Sequence, residues 1–327
     1  MSIRLALGCL HVLTLIFAGQ AFAQAKPMFR DPVYDGAADA STVRDPERRE
    51  WRMFYTNRRA TLKGGDEKDV TWVHGTKIGM ATSRDGSRWK YAGTAAIPAS
   101  CTGATLWAPE IGYFAGRWHM WLTIVPGIFS NWNAPRFIVH LTSKDLKRWT
   151  CGERLALGSD RVIDASVAEI APGKYRLWYN DERSGKSIRS ADSADLVHWL
   201  PGPGVVDTPG EGPKAFRWRN RWWLISDAWQ GLLVMRSDDA AQWTRQEGYL
   251  LAEPGALPTD RAKGQHPDIV VADDRAYLIY FVHQGGEPEA ASDPRWHRRS
   301  VLQISELIER DGRLTIDRAR RAALPKP

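Results

Sequence analysis

Three carboxylates could supply acid and base chemistry in this chain: Asp39, Asp164 and Glu211. Each lies near the start of a short segment with the composition of a β-strand. If the fold brings them together, they repel and desolvate one another, which raises at least one pKa and separates an acid from a base. Hydrolysis of a glycosidic bond needs that separation, because one carboxyl protonates the departing oxygen while an ionised one activates water or attacks carbon. Taken singly, each carboxylate is a turn residue or the partner of an arginine.

A repeated pattern indicates the fold that positions these side chains. The pattern Ser-x-Asp-x-x-x-Trp follows a short β-type run four times, at Ser83–Trp89, Ser143–Trp149, Ser193–Trp199 and Ser237–Trp243. A period of roughly 45 to 60 residues is typical of a β-propeller. We interpret the motifs as structural: Ser and Asp bond backbone amides of a turn, and Trp fills the gap between blades.

Five sets of strands predict five blades. The innermost strands are predicted at residues 39–43, 107–111, 163–167, 210–214 and 265–269. The second strands follow at 51–56, 118–125, 175–180, 222–227 and 277–283, and the third strands at 78–83, 137–143, 187–193, 232–237 and 301–305. The fifth blade lacks the Asp and Trp of the repeat, as terminal repeats often do. We therefore predict an all-β fold, a five-bladed β-propeller with four antiparallel strands per blade.

The predicted topology also selects the face on which a site would lie. Antiparallel strands reverse at each turn, so the starts of the innermost strands and the loops between second and third strands share one face. Several of these loops are long, and long loops on a rigid scaffold commonly carry sites. They direct the following residues toward the rim of one central pocket: Arg58, Arg59, His74, Trp132, Arg183, Trp229 and His283.

Several residues are candidates for binding a substrate in that pocket. Trp107, Trp132 and Trp229 either stack on sugar rings or serve packing alone, and Trp107 adjoins Glu110. His74 either contacts a sugar or shares a proton relay, or it is a loop histidine bonded to the backbone. The full predicted set of substrate-binding residues is Arg58, His74, Trp107, Glu110, Trp132, Arg183, Trp229 and His266.

Four motifs in order resemble glycoside hydrolase family 43, and the resemblance covers nearly the whole chain after the leader. They are Ala38-Asp39-Ala40-Ser41, Trp107-Ala108-Pro109-Glu110, Ile163-Asp164-Ala165-Ser166 and Glu211-Gly212-Pro213. The resemblance implies that Asp39 is the general base, that Asp164 tunes the pKa of the acid and orients substrate, and that Glu211 is the general acid. It also places His266 by a central water or calcium ion, although a core histidine is the alternative. No cofactor is implied for the chemistry.

The sequence departs from that family at several positions. Ala40 and Ala165 stand where family 43 enzymes usually have Pro after the Asp. Arg30-Asp31-Pro32 and Arg44-Asp45-Pro46 are similar to the Arg-Asp-Pro motif of family 32, but the Glu-Cys partner of that family is not found. The stretches 55–60 and 72–75 are similar to anhydrogalactosidase-like relatives of family 117 that employ a His. The identity of the sugar therefore stays open.

The ends and the composition of the chain bound its surroundings. A basic start, an apolar run and an Ala-x-Ala site predict a signal peptide at residues 1–23, so residues 24–327 form one secreted or periplasmic domain without a membrane anchor. In such a compartment Cys101 and Cys151 either pair or stay free. The formal charge of +7 is spread over many loops, which argues against nucleic acid as a partner and leaves an anionic polysaccharide open. The sixteen Trp suit both blade packing and stacking on carbohydrate.

These observations lead to one expected function and its rivals. We expect a secreted glycoside hydrolase that removes terminal furanose or pentose units, as arabinofuranosidases and xylosidases do, by an inverting general acid/base mechanism. The alternatives are a carbohydrate-binding propeller without catalysis and an anhydrogalactosidase-like or galactofuranosidase-like enzyme of the same superfamily.

Overall fold

The computed structural model describes residues 27–63 and 68–327. The predicted signal peptide lies outside the described residues. None of the helices in the described part of the chain has the length and hydropathy needed to span a bilayer.

Strands dominate the described residues and form five antiparallel sheets of four strands each, in chain order. The first two blades are β1 (Ala37–Asp45), β2 (Glu50–Asn57), β3 (Lys77–Ser83) and β4 (Lys90–Thr94), then β5 (Thr105–Phe114), β6 (Arg117–Val125), β7 (Phe137–Ser143) and β8 (Trp149–Arg154). The third blade is β9 (Val162–Ala171), β10 (Lys174–Asp181), β11 (Ser187–Ser193) and β12 (Leu200–Val206). The last two are β13 (Glu211–Trp218), β14 (Arg221–Asp227), β15 (Leu232–Ser237) and β16 (Thr244–Arg245), then β17 (Gln265–Ala272), β18 (Arg275–His283), β19 (Ser300–Arg310) and β20 (Arg313–Ile316). The predicted five-bladed β-propeller is confirmed.

Short 3-10 helices lie in the connections between strands, at Thr71–Val73, Ala99–Cys101, Glu182–Ser184, Gln284–Gly286, Pro288–Ala291 and Pro294–Arg298. Burial follows the position of a strand within its blade. Every residue of β2 is buried, because blades cover both of its faces, whereas the outer strand β4 alternates between exposed and half-buried residues. The second strands therefore contain buried apolar and aromatic runs, such as residues 53–55 in β2 and 276–282 in β18.

Each innermost strand contains a β-bulge near its start, visible as a shift in its register with the second strand. The bulge places one residue of each strand at a positive φ between 42° and 60°: Asp39, Ala108, Asp164, Gly212 and His266. A bulge re-aims side chains. Here it does so at five equivalent positions around the axis. Gly212 is needed for a second reason, since a Cβ there would lie 2.9 Å from the ring of His266.

Two residues beyond each positive φ, a ring of polar side chains surrounds the axis: Ser41, Glu110, Ser166, Lys214 and Asp268. At four junctions between blades, a side-chain oxygen of this ring accepts a hydrogen bond from a backbone N–H of the next blade. The pairs, acceptor first, are Ser41 and Ile111, Glu110 and Val167, Ser166 and Ala215, and Asp268 and Thr42. Lys214 completes the ring, with its Nζ 2.6 Å from Glu110 Oε2 and 2.9 Å from Asp268 Oδ1. We call these five residues the axial ring, and they hold the innermost strands at a common height.

The repeated Ser-x-Asp-x-x-x-Trp motifs have the structural role that was predicted. In each copy the Asp carboxylate accepts the backbone N–H groups two and three residues later, which fixes the turn after the third strand. In three copies the Trp packs against an aromatic ring of the preceding blade: Trp149 lies 6.1 Å from Phe54, Trp199 6.3 Å from Trp121 and Trp243 6.1 Å from Trp178. These motifs lie on the face opposite the predicted site.

Two contacts tie the ends of the described chain to the ring of blades, and a disulfide joins two neighbouring parts of it. Phe29, ahead of β1, pairs with Leu302 of β19, which joins the first part of the described chain to the last blade. Near the other end, Trp51 Nε1 donates to the carbonyl of Pro325 (2.7 Å). Cys101 and Cys151 form a disulfide that links the segment after blade one to the outer strand of blade two.

Candidate active site

A pocket of about 270 Å³ opens on the propeller axis, where the five bulges meet the loops between second and third strands. Its lining residues come from all five blades: Asp39, Arg58, Val73, Trp107, Trp132, Arg136, Arg161, Ile163, Asp164, Glu182, Lys186, Glu211, Trp229 and His266. The structure thus brings the three predicted carboxylates into one pocket.

Asp39 lies at the bulge of β1 and faces two nitrogen-bearing side chains. Arg58 Nη2 donates to both of its oxygens, at 3.0 and 3.3 Å, and His266 Nδ1 lies 3.3 Å from Oδ1. Burial opposes ionisation of this carboxyl, but the charge of Arg58, the ring of His266 and the hydroxyl of Thr56 together hold the pKa of Asp39 below its ordinary value. Asp39 is therefore a carboxylate at neutral pH.

Glu211 begins β13 and lies across the sheet from Asp227, the last residue of β14. Burial first, and then the charges of Asp227 and Asp39, raise the pKa of Glu211 to about 7. Asp227 is itself fully buried and accepts the backbone N–H groups of Trp229 (2.8 Å) and His266 (3.2 Å). Glu211 consequently keeps its proton in conditions where Asp39 has lost its own.

Asp164 occupies the bulge of β9, between Asp39 and Glu211 along the order of blades. Its backbone N–H donates to the hydroxyl of Thr123 (3.1 Å), and its Oδ2 accepts the backbone N–H of Gly212 (2.9 Å), next to Glu211. Burial, the charge of Glu211 and the charge of Asp39 raise the pKa of Asp164 well above its ordinary value. Ionisation of Asp164 is therefore disfavoured wherever Glu211 or Asp39 is charged.

The predicted aromatic residues all line the pocket. The buried ring of Trp107 donates from Nε1 to the carbonyl of Val73 (2.7 Å), while Trp132 is 50% exposed at the rim. Trp229 has a positive φ of 57°, and its N–H is held by Asp227. These rings present apolar faces to the space in front of the carboxyls, as sugar-stacking side chains do.

His74 is placed behind the pocket wall rather than in it. Its side chain is fully buried against the rings of Trp107 (5.1 Å) and Trp132 (6.2 Å), and Nδ1 lies 3.1 Å from the carbonyl of Val70. Burial lowers the pKa of His74, so the ring is neutral at pH 7. The geometry fits the alternative of a histidine bonded to backbone, which supports the two aromatic walls from behind.

Glu110 and Arg183 also lie outside the pocket, contrary to their predicted positions. Glu110 is not among the lining residues, since it lies two residues beyond the positive φ of Ala108 and pairs with Lys214 in the axial ring. Arg183 is exposed and pairs with Asp160 at 2.8 Å. Of the other predicted binding residues, Arg58 and His266 line the pocket beside Asp39.

Sequence reasoning missed five residues at or beside the site: Arg136, Arg161, Glu182, Lys186 and Asp227. Asp227 could have been predicted, because it ends the second strand of blade four and therefore lies opposite Glu211, the first residue of the innermost strand of that blade. The other four lie in loops between strands, where no periodicity indicates which side chains turn inward.

The residues near His266 do not form an oxygen cage for the predicted calcium ion. Within the described part of the chain, no group of three or more His, Cys, Asp or Glu side chains is arranged to hold a metal ion. Calcium takes six to eight oxygen ligands, whereas His266 offers a ring nitrogen to Asp39, which already accepts Arg58. The predicted calcium ion is therefore not supported by the donors present.

The Arg-Asp-Pro motifs also lie away from the pocket. Asp31 is buried and accepts the hydroxyl of Tyr55 (2.5 Å), while Asp45 pairs with Arg48 (2.8 Å) and Arg52 (3.0 Å). Both motifs thus stabilise the first blade, and neither contributes a carboxylate to the site.

Comparisons with known proteins find similarity in structure. No protein-family model matches the sequence, and no curated protein matches it. A thermostable family-43 glycoside hydrolase superposes with a TM-score of 0.66 at 14% identity, covering 89% of this chain and 96% of that one. An α-L-arabinofuranosidase from Lactobacillus brevis gives 0.65 at 14% identity over 93% and 98% of the two chains. An exo-β-1,3-galactanase from Phanerochaete chrysosporium gives 0.63 at 15% identity over 86% and 63%. The chain is thus similar in fold to solved family-43 glycoside hydrolases, as its motifs predicted.

Proposed function

We propose that this protein is a glycoside hydrolase in which Glu211 is the general acid and Asp39 the general base. One observation carries the proposal: a single pocket holds a carboxyl whose pKa is lowered and another whose pKa is raised to about 7. Pairs of titratable groups whose surroundings separate their pKa values are the mark of acid and base assignments.

Each group has a defined part in the reaction. Glu211 protonates the oxygen of the departing group, so that the bond from that oxygen to the anomeric carbon can break. Asp39 removes a proton from a water that attacks the same carbon from the opposite side, which inverts its configuration. Asp164 accepts the backbone N–H of Gly212, the residue after Glu211, and so helps to position the acid.

The shape of the site supports a small terminal sugar as the unit that is released. The pocket, at about 270 Å³, is slightly smaller than the roughly 300 to 1,000 Å³ usual for ligand pockets. We propose exo-acting cleavage of a pentose or furanose from an oligosaccharide or polysaccharide. The fold that the chain shares with an arabinofuranosidase is consistent with this substrate class.

We also propose that the protein acts outside the cytoplasm, after removal of the predicted signal peptide. The disulfide between Cys101 and Cys151 supports this location, since disulfides persist in oxidising compartments.

Glu211→Gln tests the acid. Turnover of substrates with poor leaving groups should fall about 100- to 10,000-fold, whereas aryl glycosides whose leaving group needs no proton should be much less affected. Substrates are first found by a reducing-sugar screen over arabinan, arabinoxylan, galactan, agar oligosaccharides and aryl glycosides. Equal losses on both substrate types would assign Glu211 a binding role.

The same screen tests the whole proposal. Folded protein that binds a glycan and leaves it intact after long incubation would be a carbohydrate-binding propeller without catalysis. Glu247→Gln, which changes a Glu in an exposed turn away from the pocket, provides the matched control and should leave turnover unchanged.

A further inference from the structure

One wall of the pocket carries more positive than negative charge. Arg136 and Arg161 flank blades two and three, where a parallel bridge holds their backbones side by side. Glu182 and Lys186 come from the loop after β10. All four side chains line the pocket. We call them the cationic wall, which thus presents three cations and one carboxylate.

The single carboxylate of the wall is already shared. Glu182 Oε2 lies 2.5 Å from Arg136 Nε and 3.5 Å from Arg161 Nε, and both guanidinium groups also donate to the carbonyl of Trp132. The Arg136 side chain is 1% exposed and that of Arg161 16% exposed. Two guanidinium groups withdrawn from water beside one carboxylate leave a net positive charge, which is costly unless another anion approaches.

Lys186 adds a third positive charge at the rim. Its Nζ lies 4.9 Å from the ring centroid of Trp229, and among the described residues no carboxylate oxygen is within 4 Å of it. The backbone around it is fixed, because its carbonyl accepts the N–H of Gly210 (2.9 Å) and both Lys186 and Trp229 have positive φ values. Such conformations cost roughly 1 to 3 kcal/mol each and cluster at binding sites.

The cationic wall is not explained by the proposed acid and base alone. Arg58 neutralises Asp39 directly, and Arg136 lies near enough to Asp164 for each charge to affect the other. Arg161 and Lys186, by contrast, are not among the main influences on the pKa of Asp39, Asp164 or Glu211. Both side chains line the pocket, so their charges can act on a group bound there.

We propose that the sugar held in this pocket carries an anionic substituent, a carboxylate or a sulfate ester, which binds to Arg161 and Lys186. The inference rests on the proposed glycosidase function and changes its substrate class, from the neutral pentose or furanose proposed above to an acidic hexose, either a uronic acid or a sulfated sugar. Trp229 lies under the Lys186 ammonium, so the sugar face and its anion are recognised side by side.

The test compares aryl glycosides that are matched except at C6, where one member is neutral and the other carries a carboxylate or a sulfate ester. The pairs are 4-nitrophenyl galactosides against galacturonides, glucosides against glucuronides, and galactosides against their 6-sulfates, in both anomers. We expect kcat/KM to favour the anionic member by about ten- to a hundredfold, the effect of one or two charge-assisted hydrogen bonds. The carboxylate and sulfate arms distinguish the two sources of charge.

Variants then assign the preference to the cationic wall. Arg161→Met combined with Lys186→Met should reduce the ratio of anionic to neutral kcat/KM about tenfold or more. Lys174→Met, an exposed lysine at the start of β10 away from the pocket, should leave that ratio unchanged. Equal turnover of both members by the unmodified protein, or equal losses on both in the double variant, would overturn the inference.

A binding measurement separates this inference from the proposed function. Titration calorimetry with galacturonate, glucuronate, galactose 6-sulfate and galactose needs no catalysis. If no glycoside is hydrolysed but the anionic sugars bind, and the double variant loses that binding, the hydrolase proposal fails while the anionic site stands. If neutral glycosides are hydrolysed and neither assay shows a preference for the anionic sugars, the hydrolase proposal stands and the anionic site fails.

Discussion

At the level of single residues, the pKa values of Glu211 and Asp39 set the pH range of the proposed reaction. The acid must be protonated, so activity should fall as pH rises through the pKa of about 7 at Glu211. The base must be ionised, so activity should also fall as pH drops through the lowered pKa of Asp39. A profile of kcat/KM against pH should therefore be bell-shaped, with its basic limb near pH 7.

Asp227→Asn should move that basic limb. Removing the Asp227 charge takes away the largest electrostatic contribution to the raised pKa of Glu211, so the limb should shift to lower pH by about one unit. Asp238→Asn, at an exposed turn on the opposite face, should leave the profile in place. An unshifted limb in the Asp227 variant would show that another group titrates there.

The stereochemical outcome tests Asp39 as a base. If a water fits between Asp39 and the anomeric carbon, the carboxyls of Asp39 and Glu211 stand roughly 6.5 to 9.5 Å apart and the product is inverted. Proton NMR of the first-formed anomer measures this directly. Retention, or transfer of the sugar to methanol, would show that Asp39 attacks carbon and forms a glycosyl-enzyme intermediate.

The sequence motifs predicted which residues are catalytic candidates, but they did not predict which side chains surround them. Asp39 and Asp164 could be found because each repeats at the same place in its blade, where the bulge imposes one orientation. Lys214 and Glu110 are 104 residues apart, and their contact across the axis leaves no trace in local pattern. His74 was predicted to face the pocket because it lies in one of the loops between second and third strands. In the structure it follows a 3-10 turn, its ring nitrogen lies 3.1 Å from the carbonyl of Val70, and the ring lies behind the pocket wall.

At the level of elements, the axial ring couples the five innermost strands through one lysine. Burial favours the neutral amine, but Asp268 and Glu110 raise the pKa of Lys214 above its ordinary value, so the side chain stays charged. Lys214→Met would leave two buried carboxylates without their cation and should lower the free energy of unfolding by about 3 to 5 kcal/mol. Urea unfolding followed by tryptophan fluorescence measures this loss.

A second substitution separates the loss of the ion pairs from the loss of packing. Adding Glu110→Gln and Asp268→Asn to Lys214→Met removes the unpaired charges and should recover part of the lost stability. If the triple variant is no more stable than Lys214→Met, the charges of the axial ring contribute little and its hydrogen bonds to the next blade carry the effect.

The strands that could be predicted are those whose burial leaves a pattern in the sequence. Second strands were found because both of their faces are buried and they carry apolar and aromatic runs, most clearly in β18. Outer strands such as β16, with two exposed residues, have too little apolar pattern to be read from sequence. The elements that form the pocket floor were therefore predictable, whereas only some of the loop residues that form its walls, such as Trp132 and Trp229, could be named from the sequence.

At the level of the whole molecule, a propeller must hold its ring of blades closed. The pairing of Phe29 with Leu302 joins the first and last blades, while the disulfide between Cys101 and Cys151 ties blade two to the segment that precedes it. The two cysteines are 50 residues apart in the chain. Cross-linking a loop of that length restricts the unfolded chain by about 4 kcal/mol in the chain-entropy model.

Replacing both cysteines should therefore destabilise the propeller without changing its chemistry. Cys101→Ala with Cys151→Ala should lower the free energy of unfolding by about 2 to 4 kcal/mol, measured by urea unfolding, and leave kcat/KM unchanged, because the bond lies outside the pocket lining. Unmodified protein reduced with dithiothreitol should lose a similar amount, whereas the double variant should not respond to the reductant. A stable reduced protein would instead show that blade packing, through contacts such as Trp149 on Phe54, holds this junction by itself.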